Sequence, residues 1–353
     1  DDEALARTYR ELLLDAVAIR VRAAGRPAFT LSGGMDSSSV LGCAVRSVGR
    51  RQHAFSTVYE DATYDESAEI LSMLPLLGEW HRVPIGTPDV LGLVDELVAV
   101  HDEPVATATW LSHHLLCRQV AREGFTTLLG GLGGDELNAG EYEYFPFHFA
   151  DLRAQGREAE LAHEVERWAA HHDHPIHRKG PEQAEAMLAR LTDPARPGVC
   201  LPDAARFTRY ASLVRPELAD PLLFEPLMEH PFADCLRNRA WQDLSRETLP
   251  CCLRAEDRDS AALGLGHALP FLDHRLIELL FRVPGDRKIA DGVTKRLLRE
   301  AMRGILPEET RTRVKKTGWN APAHVWFGGE GAEAVLDLVR SRSFAEHGVY
   351  DAA

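Results

Sequence analysis

Residues 31–38 read Leu-Ser-Gly-Gly-Met-Asp-Ser-Ser, and residues 130–137 read Gly-Gly-Leu-Gly-Gly-Asp-Glu-Leu. Each segment sets an aspartate behind glycines that let the backbone come close to a ligand. In the first, Gly33 and Gly34 allow successive N–H groups to turn toward one point, and Ser32, Ser37 and Ser38 add hydroxyls. Such a loop suits an anion. Asp36 conflicts with that, because a carboxylate inside a phosphate cradle repels its ligand. A divalent cation between the two, Mg²⁺ by its preference for oxygen, removes the conflict. Asp135 can share that cation, since two carboxylates, phosphate oxygens and water make an ordinary Mg²⁺ shell. No lysine follows the first glycines, so this is not the G-x-x-x-x-G-K-[ST] loop.

Strands must carry both loops. A short apolar run, Pro27 to Leu31, precedes the first loop, and Val40, Leu41, Ala44, Val45 and Val48 follow at helical spacing. The order is strand, glycine turn, helix, with the helix N-terminus favouring an anion. Upstream, residues 3–24 form an amphipathic helix with Leu5, Tyr9, Leu12, Leu13, Ala16 and Ile19 near one face. Further strands are predicted at 53–59, 80–85 and 126–130, with helices at 65–77, 88–100 and 110–123. This alternation predicts an α/β fold with a parallel sheet covered on both faces and ligands at the strands' carboxyl ends. The loops after residues 31, 58 and 130 then meet over one site. From about residue 140 the pattern turns helical. Residues 1–140 read as an α/β nucleotide-binding core and 141–353 as an α-rich lobe that returns to cover the site.

Composition narrows the partners. The chain has 353 residues, 27% of them charged and 45% apolar, with a formal charge of −14 that argues against a nucleic-acid partner. Lysine and arginine nevertheless gather between Arg282 and Lys316, a stretch suited to a polyanionic small molecule such as ATP. The six cysteines show no C-x-x-C pair and no zinc spacing, which reads as free buried thiols in a reducing cytoplasm. There is no apolar run near 18 residues and no signal peptide, so no membrane association is expected. His171, His172, His174 and His177 match no defined metal spacing and read as a solvated loop. The start at Asp1 and the stop after Tyr350 suggest cuts within a longer polypeptide.

The first loop resembles the S-G-G-x-D-S pyrophosphate loop of the ATP pyrophosphatase superfamily. The resemblance then sharpens. The G-x-G-G-D-E-L segment, Pro270-Phe271-Leu272-Asp273-His274-Arg275-Leu276, Lys295 to Ala301 as K-x-x-L-R-x-A, and Lys316-Thr317-Gly318-Trp319 occur in the same order in class B asparagine synthetases. The match covers the synthetase domain of that family, which also includes β-lactam synthetases and lasso-peptide cyclases. It implies a PP-loop (adenine nucleotide alpha-hydrolase-like) fold and adenylation of a small-molecule carboxylate by ATP, followed by attack of ammonia or an amine. By resemblance, Ser32, Gly33, Gly34, Ser37, Ser38, Gly131 and Gly133 would bind the phosphates, and Asp36 and Asp135 the Mg²⁺. Backbone groups near Leu31 and Val58 would take the adenine. Lys316 would reach the α-phosphate and the forming oxyanion, with Lys295 assisting. The family also implies a glutaminase domain on the N-terminal side, and is compatible with a homodimer.

Three positions depart from the family's pattern. Leu132 stands where many asparagine synthetases carry the first glutamate of G-E-G-S-D-E, and where β-lactam-forming relatives carry tyrosine. Gly266 and Ala268 replace the Glu and Arg of G-L-E-x-R-x-P-F-L-D. Losing an acid–base group costs about 10²–10⁴-fold where it acts, and such a pocket suits a bulkier or less charged acceptor than aspartate. His267 is a candidate replacement base. Two alternatives to a glutamine-dependent amidotransferase therefore stand: an intramolecular amide ligase of the β-lactam or lasso type, and an inactive relative serving as a scaffold.

Overall fold

The computed structural model describes residues 2–86, 89–171, 179–191, 212–218, 229–315 and 321–350. Its centre is a five-stranded, all-parallel sheet: β1 (Pro27–Thr30), β2 (Gln52–Val58), β3 (Leu77–Pro84), β4 (Thr127–Leu129) and β5 (Gly266–Ala268), in the order β3-β2-β1-β4-β5. The chain reverses its direction of travel between β1 and β4. That adjacency brings the two glycine loops side by side at the carboxyl edge, where α/β sheets bind ligands.

Alternation along the strands explains the layering. Ala28, Phe55 and Leu128 pack into one apolar cluster, and their neighbours Phe29, Ala54 and Leu129 pack into another. Successive side chains face opposite sides of the sheet, and here both sides are buried. On one face lie α1 (Asp2–Ala23) and α2 (Met35–Val48); on the other lie α3 (Val90–His101) and α4 (Ala108–Arg122). In α1 the buried stripe is Ala6, Tyr9, Leu13, Ala16, Val17 and Val21, while the expected Ile19 is 44% exposed. The larger cluster runs on into Phe145, Phe147, Phe149, Trp168 and Leu298, so apolar packing is continuous across residue 140.

Two local expectations are corrected. The helix predicted over 65–77 is a single α-turn, Ser67–Ile70, followed by a 3-10 stretch, Leu71–Leu76, that contains Pro75. Proline removes the N–H that an α-helix needs there. The following strand starts at Leu77 rather than Trp80. Strand β5 was not predicted, because Gly264-Leu265-Gly266-His267-Ala268 is too short and glycine-rich to carry a strand signal. Of the cysteines expected to be buried thiols, Cys43 and Cys117 are buried, Cys235 and Cys252 are half-buried and Cys251 is exposed, while Cys200 lies outside the described residues. Of the histidine tract, His171 ends a helix and bonds Arg167; His172, His174 and His177 lie outside the described residues. Among the described residues no helix is long and apolar enough to cross a membrane.

Candidate active site

The first loop is held from within and from outside. Gly33 adopts φ +74°, and a β-carbon there would lie 2.6 Å from Glu69 Cβ. Inside the loop, Ser32 N donates to Ser37 Oγ at 3.2 Å, and the two hydroxyls are 3.1 Å apart. Outside it, Arg313 Nη1 donates to Gly33 O at 3.0 Å and Nη2 to Glu69 O at 3.1 Å. One planar guanidinium thus fixes the loop to the segment after β2.

The second loop presses against the first. A β-carbon on Gly131 would lie 2.6 Å from Ser37 N and 2.8 Å from Asp36 C. One on Gly134 would overlap the Asp36 carboxylate. Only glycine fits at either position. Asp135 follows in the first turn of the short helix α5 (Gly134–Asn138).

Lys295 closes the arrangement. It sits in the left-handed region at φ 58°, just before the helix Arg296–Ala301. Its N–H donates to Asn138 O at 3.2 Å, and Asn138 Oδ1 accepts from Tyr9 OH at 2.9 Å. The side chain, 6% exposed, carries Nζ to Asp36 Oδ2 and to within 2.7 Å of Asp135 Oδ1. Asp36 and Asp135 therefore face a single cation between them. The three groups sum to one negative charge, so the oxygen donors fit a hard divalent cation such as Mg²⁺.

Leu31, Ser32, Gly33, Gly34, Asp36, Ser37, Gly131, Gly133, Asp135 and Lys295 all line one cavity of about 770 Å³. Two predicted residues do not line it. Ser38 is fully buried beneath the loop with no hydrogen bond on its hydroxyl among the described residues, and the Val58 carbonyl accepts from Ile85 N at 2.9 Å. Leu31 N donates to Phe55 O at 3.0 Å, so that N–H is already committed. Lys316 lies outside the described residues, and its neighbour Lys315 lines the cavity.

The basic stretch divides. Lys295, Arg299, Arg313 and Lys315 reach the cavity, whereas Arg287, Arg296 and Arg303 line a separate depression beside α1. Burial lowers Arg299 to about 10, and its Nε and Nη1 donate to Thr294 O and Arg311 O at 2.9 and 2.7 Å. Its charge sits in the wall while its donors hold backbone.

Of the far wall, sequence reasoning singled out Leu132 alone. Trp110, His113, Leu132, Cys251, Cys252 and Glu256 line it. Glu256, on the helix Thr248–Ala262, lies 3.0 Å from His267 Nε2, and both side chains are nearly buried. Burial works to raise the Glu256 carboxyl, but the hydrogen bond and charge of His267 outweigh it and hold the group below the usual carboxylate range. Burial lowers His113. Glu136, which also lines the cavity, is pushed up to about 8 by burial and by neighbouring Asp135. The signal for Glu256 was weak: one acidic residue in a helical stretch that also holds Asp257 and Asp259.

Known proteins are similar in sequence to this chain over nearly its whole length. Asparagine synthetase [glutamine-hydrolyzing] 1 of Bacillus subtilis is 23% identical over 367 residues, covering 96% of this chain and 53% of that protein. Asparagine synthetase [glutamine-hydrolyzing] 3 of the same organism is 26% identical over 350 residues, covering 94% and 51%. A protein of Penicillium rubens named amidase chyE is 23% identical over 405 residues, covering 99% and 57%. The chain thus spans about half the length of these curated relatives. The asparagine synthase profile matches residues 8–353, a span that takes in both glycine loops, Lys295 and the far wall, and the chain belongs to the asparagine synthase family.

Proposed function

We propose that this chain is the synthetase part of an ATP-dependent, AMP-forming amide ligase. A carboxylate oxygen attacks the α-phosphorus of ATP and displaces pyrophosphate. An amine or ammonia then attacks the acyl carbon of the acyl-adenylate, loses a proton, and releases AMP. The observation that carries this reading is the meeting of the two glycine loops, with Asp36 and Asp135 turned to one cation at the floor of a cavity.

The loop residues Ser32 to Ser37 bind the departing pyrophosphate through backbone N–H groups and hydroxyls. Mg²⁺, when bound, would offset the charge that gathers on the phosphates. Asp36 and Asp135 would hold it, and Lys295 supplies a monovalent charge at the same point. Lys316, by its place in the family's lysine-glycine-aromatic motif, acts at the α-phosphate and oxyanion, where a positioned ammonium stabilises developing charge. Domain division at residue 140 and homodimer formation belong to the same proposal, as does a glutaminase domain upstream, which would supply ammonia where ammonia is the nucleophile.

One observation favours an amine, free or on the acyl substrate itself, over ammonia as the nucleophile. Leu132 puts an apolar side chain on the cavity lining that also holds Trp110, while Glu256 with His267 offers a buried carboxylate on the same cavity. His267 Nε2 lies 3.6 Å from where a β-carbon of Gly130 would stand, next to the second loop. This pair can take the amine's proton in place of the missing glutamate.

ATP–pyrophosphate exchange with Mg²⁺ and a panel of carboxylates tests the proposal. Exchange supported by at least one carboxylate, and lost in Asp36→Asn, is the expected result. Tight ATP binding with no exchange for any carboxylate would instead mark an inactive scaffold.

A further inference from the structure

A second cluster of ligating side chains lies at the other end of the sheet. His53 is the second residue of β2, and Glu79 and His81 stand on β3, the edge strand. In register, His53 pairs with Glu79 and Phe55 with His81. The pairing slips between Gln52 and His53, so that Gln52 faces Leu77 while Gly78 is left over as a bulge. That extra residue matters. Because side chains alternate with a period of two, a one-residue slip moves Glu79 and His81 onto the face that His53 occupies.

The three ligand atoms converge. His53 Nδ1 and His81 Nε2 are 3.0 Å apart, His53 Nδ1 and Glu79 Oε2 3.7 Å, and His81 Nε2 and Glu79 Oε2 3.6 Å. The point equidistant from these atoms lies about 2.0 Å from each, the bond length that zinc makes to imidazole nitrogen and carboxylate oxygen. The remaining nitrogen of His81 is engaged: Nδ1 lies 2.6 Å from Glu123 Oε2, and Gln119 Nε2 donates to Glu123 Oε1 at 2.8 Å. A carboxylate behind a metal-binding histidine fixes its tautomer and turns the other nitrogen's lone pair toward the metal. The His81 ring is stacked on Phe55 at 4.2 Å and meets Phe125 edge-on, so its direction is set by packing.

We propose that His53, Glu79 and His81 form a binding site for a first-row transition-metal ion, Zn²⁺ foremost, with water completing the shell. Two imidazoles and one carboxylate exclude Mg²⁺ as the natural occupant and suit Zn²⁺. None of His53, Glu79 and His81 lines the ligase cavity; Phe55, whose ring stacks on His81, is part of that cavity's wall, so the site lies behind it. A bound ion ties the edge strand to β2 and, through Glu123, to the end of α4. It would cap an edge that otherwise presents unpaired backbone groups.

The test is Zn²⁺ titration of the chelator-stripped full chain by calorimetry, with Co²⁺ absorption as a geometric probe. The variants are His53→Gln/Glu79→Gln, which touches exposed or half-exposed side chains, and Glu123→Gln. The wild type is expected to bind one equivalent more than the double variant and to give the intense visible bands of four- or five-coordinate Co²⁺. Glu123→Gln should weaken that equivalent about 10–100-fold. Counting the difference guards against metal held by cysteines or by the histidines after residue 170. Equal stoichiometry in wild type and double variant, with circular dichroism showing both folded, would overturn the proposal. So would a Co²⁺ spectrum unchanged by the substitutions.

Discussion

Lys295 Nζ lies 2.7 Å from Asp135 Oδ1 and also contacts Asp36 Oδ2, so one buried ammonium joins the two glycine loops. Removing it leaves two carboxylates facing each other with reduced compensation. Lys295→Met is therefore expected to lower the thermal midpoint in chelator, and Mg²⁺ to restore more stability to the variant than to wild type. Leaving a buried charge uncompensated costs about 3–5 kcal/mol, and the divalent ion can supply the missing positive charge. Thermal unfolding with and without Mg²⁺ measures this. An equal Mg²⁺ response in both proteins would refute the shared-cation geometry.

Contact between the loops is as specific as their charge. Gly131→Ala places a methyl 2.6 Å from Ser37 N, where backbone rather than a flexible side chain must give way. Overpacking of this kind costs about 1–3 kcal/mol. The larger effect should fall on function, because Ser37 and Asp36 are displaced together. Pyrophosphate exchange is expected to drop by more than tenfold at saturating ATP. A variant with wild-type exchange would show that the two loops do not act as one unit.

Arg313 makes a two-pronged contact with the carbonyls of Gly33 and Glu69. Arg313→Lys keeps the charge and loses the fork, so it separates geometry from electrostatics. If the fork positions the loop, lysine and alanine variants raise the KM for ATP by similar factors, on the order of tenfold for 1–2 kcal/mol of lost hydrogen bonding. Wild-type kinetics in Arg313→Lys would assign the effect to charge alone.

Much of this was legible in the sequence, for physical reasons. The strand–glycine–helix pattern around residues 31–38 is local, and the parallel pairing of β1 with β4 follows from alternating strands and helices. The meeting of Asp36 with Asp135 needs no more than that. What the sequence concealed depends on distant packing. Lys295 reaches the loops because Tyr9, on the first helix, bonds Asn138, whose carbonyl takes the Lys295 N–H. The Glu256–His267 pair joins a helix to a three-residue strand that has no propensity signal of its own. The apolar spacing over 65–77 is helical, but Pro75 lacks the N–H that an α-helix needs there, and the segment winds as a 3-10 stretch.

Glu256 supplies a test that divides the reaction. If it accepts the nucleophile's proton, Glu256→Gln should slow overall amide formation by about 10²–10⁴-fold. The adenylation half-reaction, read by pyrophosphate exchange, should fall far less. Equal losses in both would mean that Glu256 supports the cavity wall through His267 instead of serving the nucleophile.

Lys288 links pH to stability at a point unconnected with the reaction. Its side chain is 1% exposed, its Nζ lies 5.2 Å from the centre of the Phe281 ring, and no hydrogen bond reaches that nitrogen among the described residues. Burial, only partly offset by Asp234, lowers it from 10.5 to about 7. The unfolded chain therefore binds the extra proton between pH 7 and 10.5, and stability contributed by this residue rises with pH across that window. Below it the folded protein carries the whole cost of a desolvated ammonium. Lys288→Met keeps the volume and removes the charge. It should stabilise the protein by about 1–4 kcal/mol near pH 6, with the gain shrinking toward zero as the pH approaches 10. Urea midpoints at both ends of that range give the answer: a gain independent of pH would mean that packing, not the proton, sets the energy of this site.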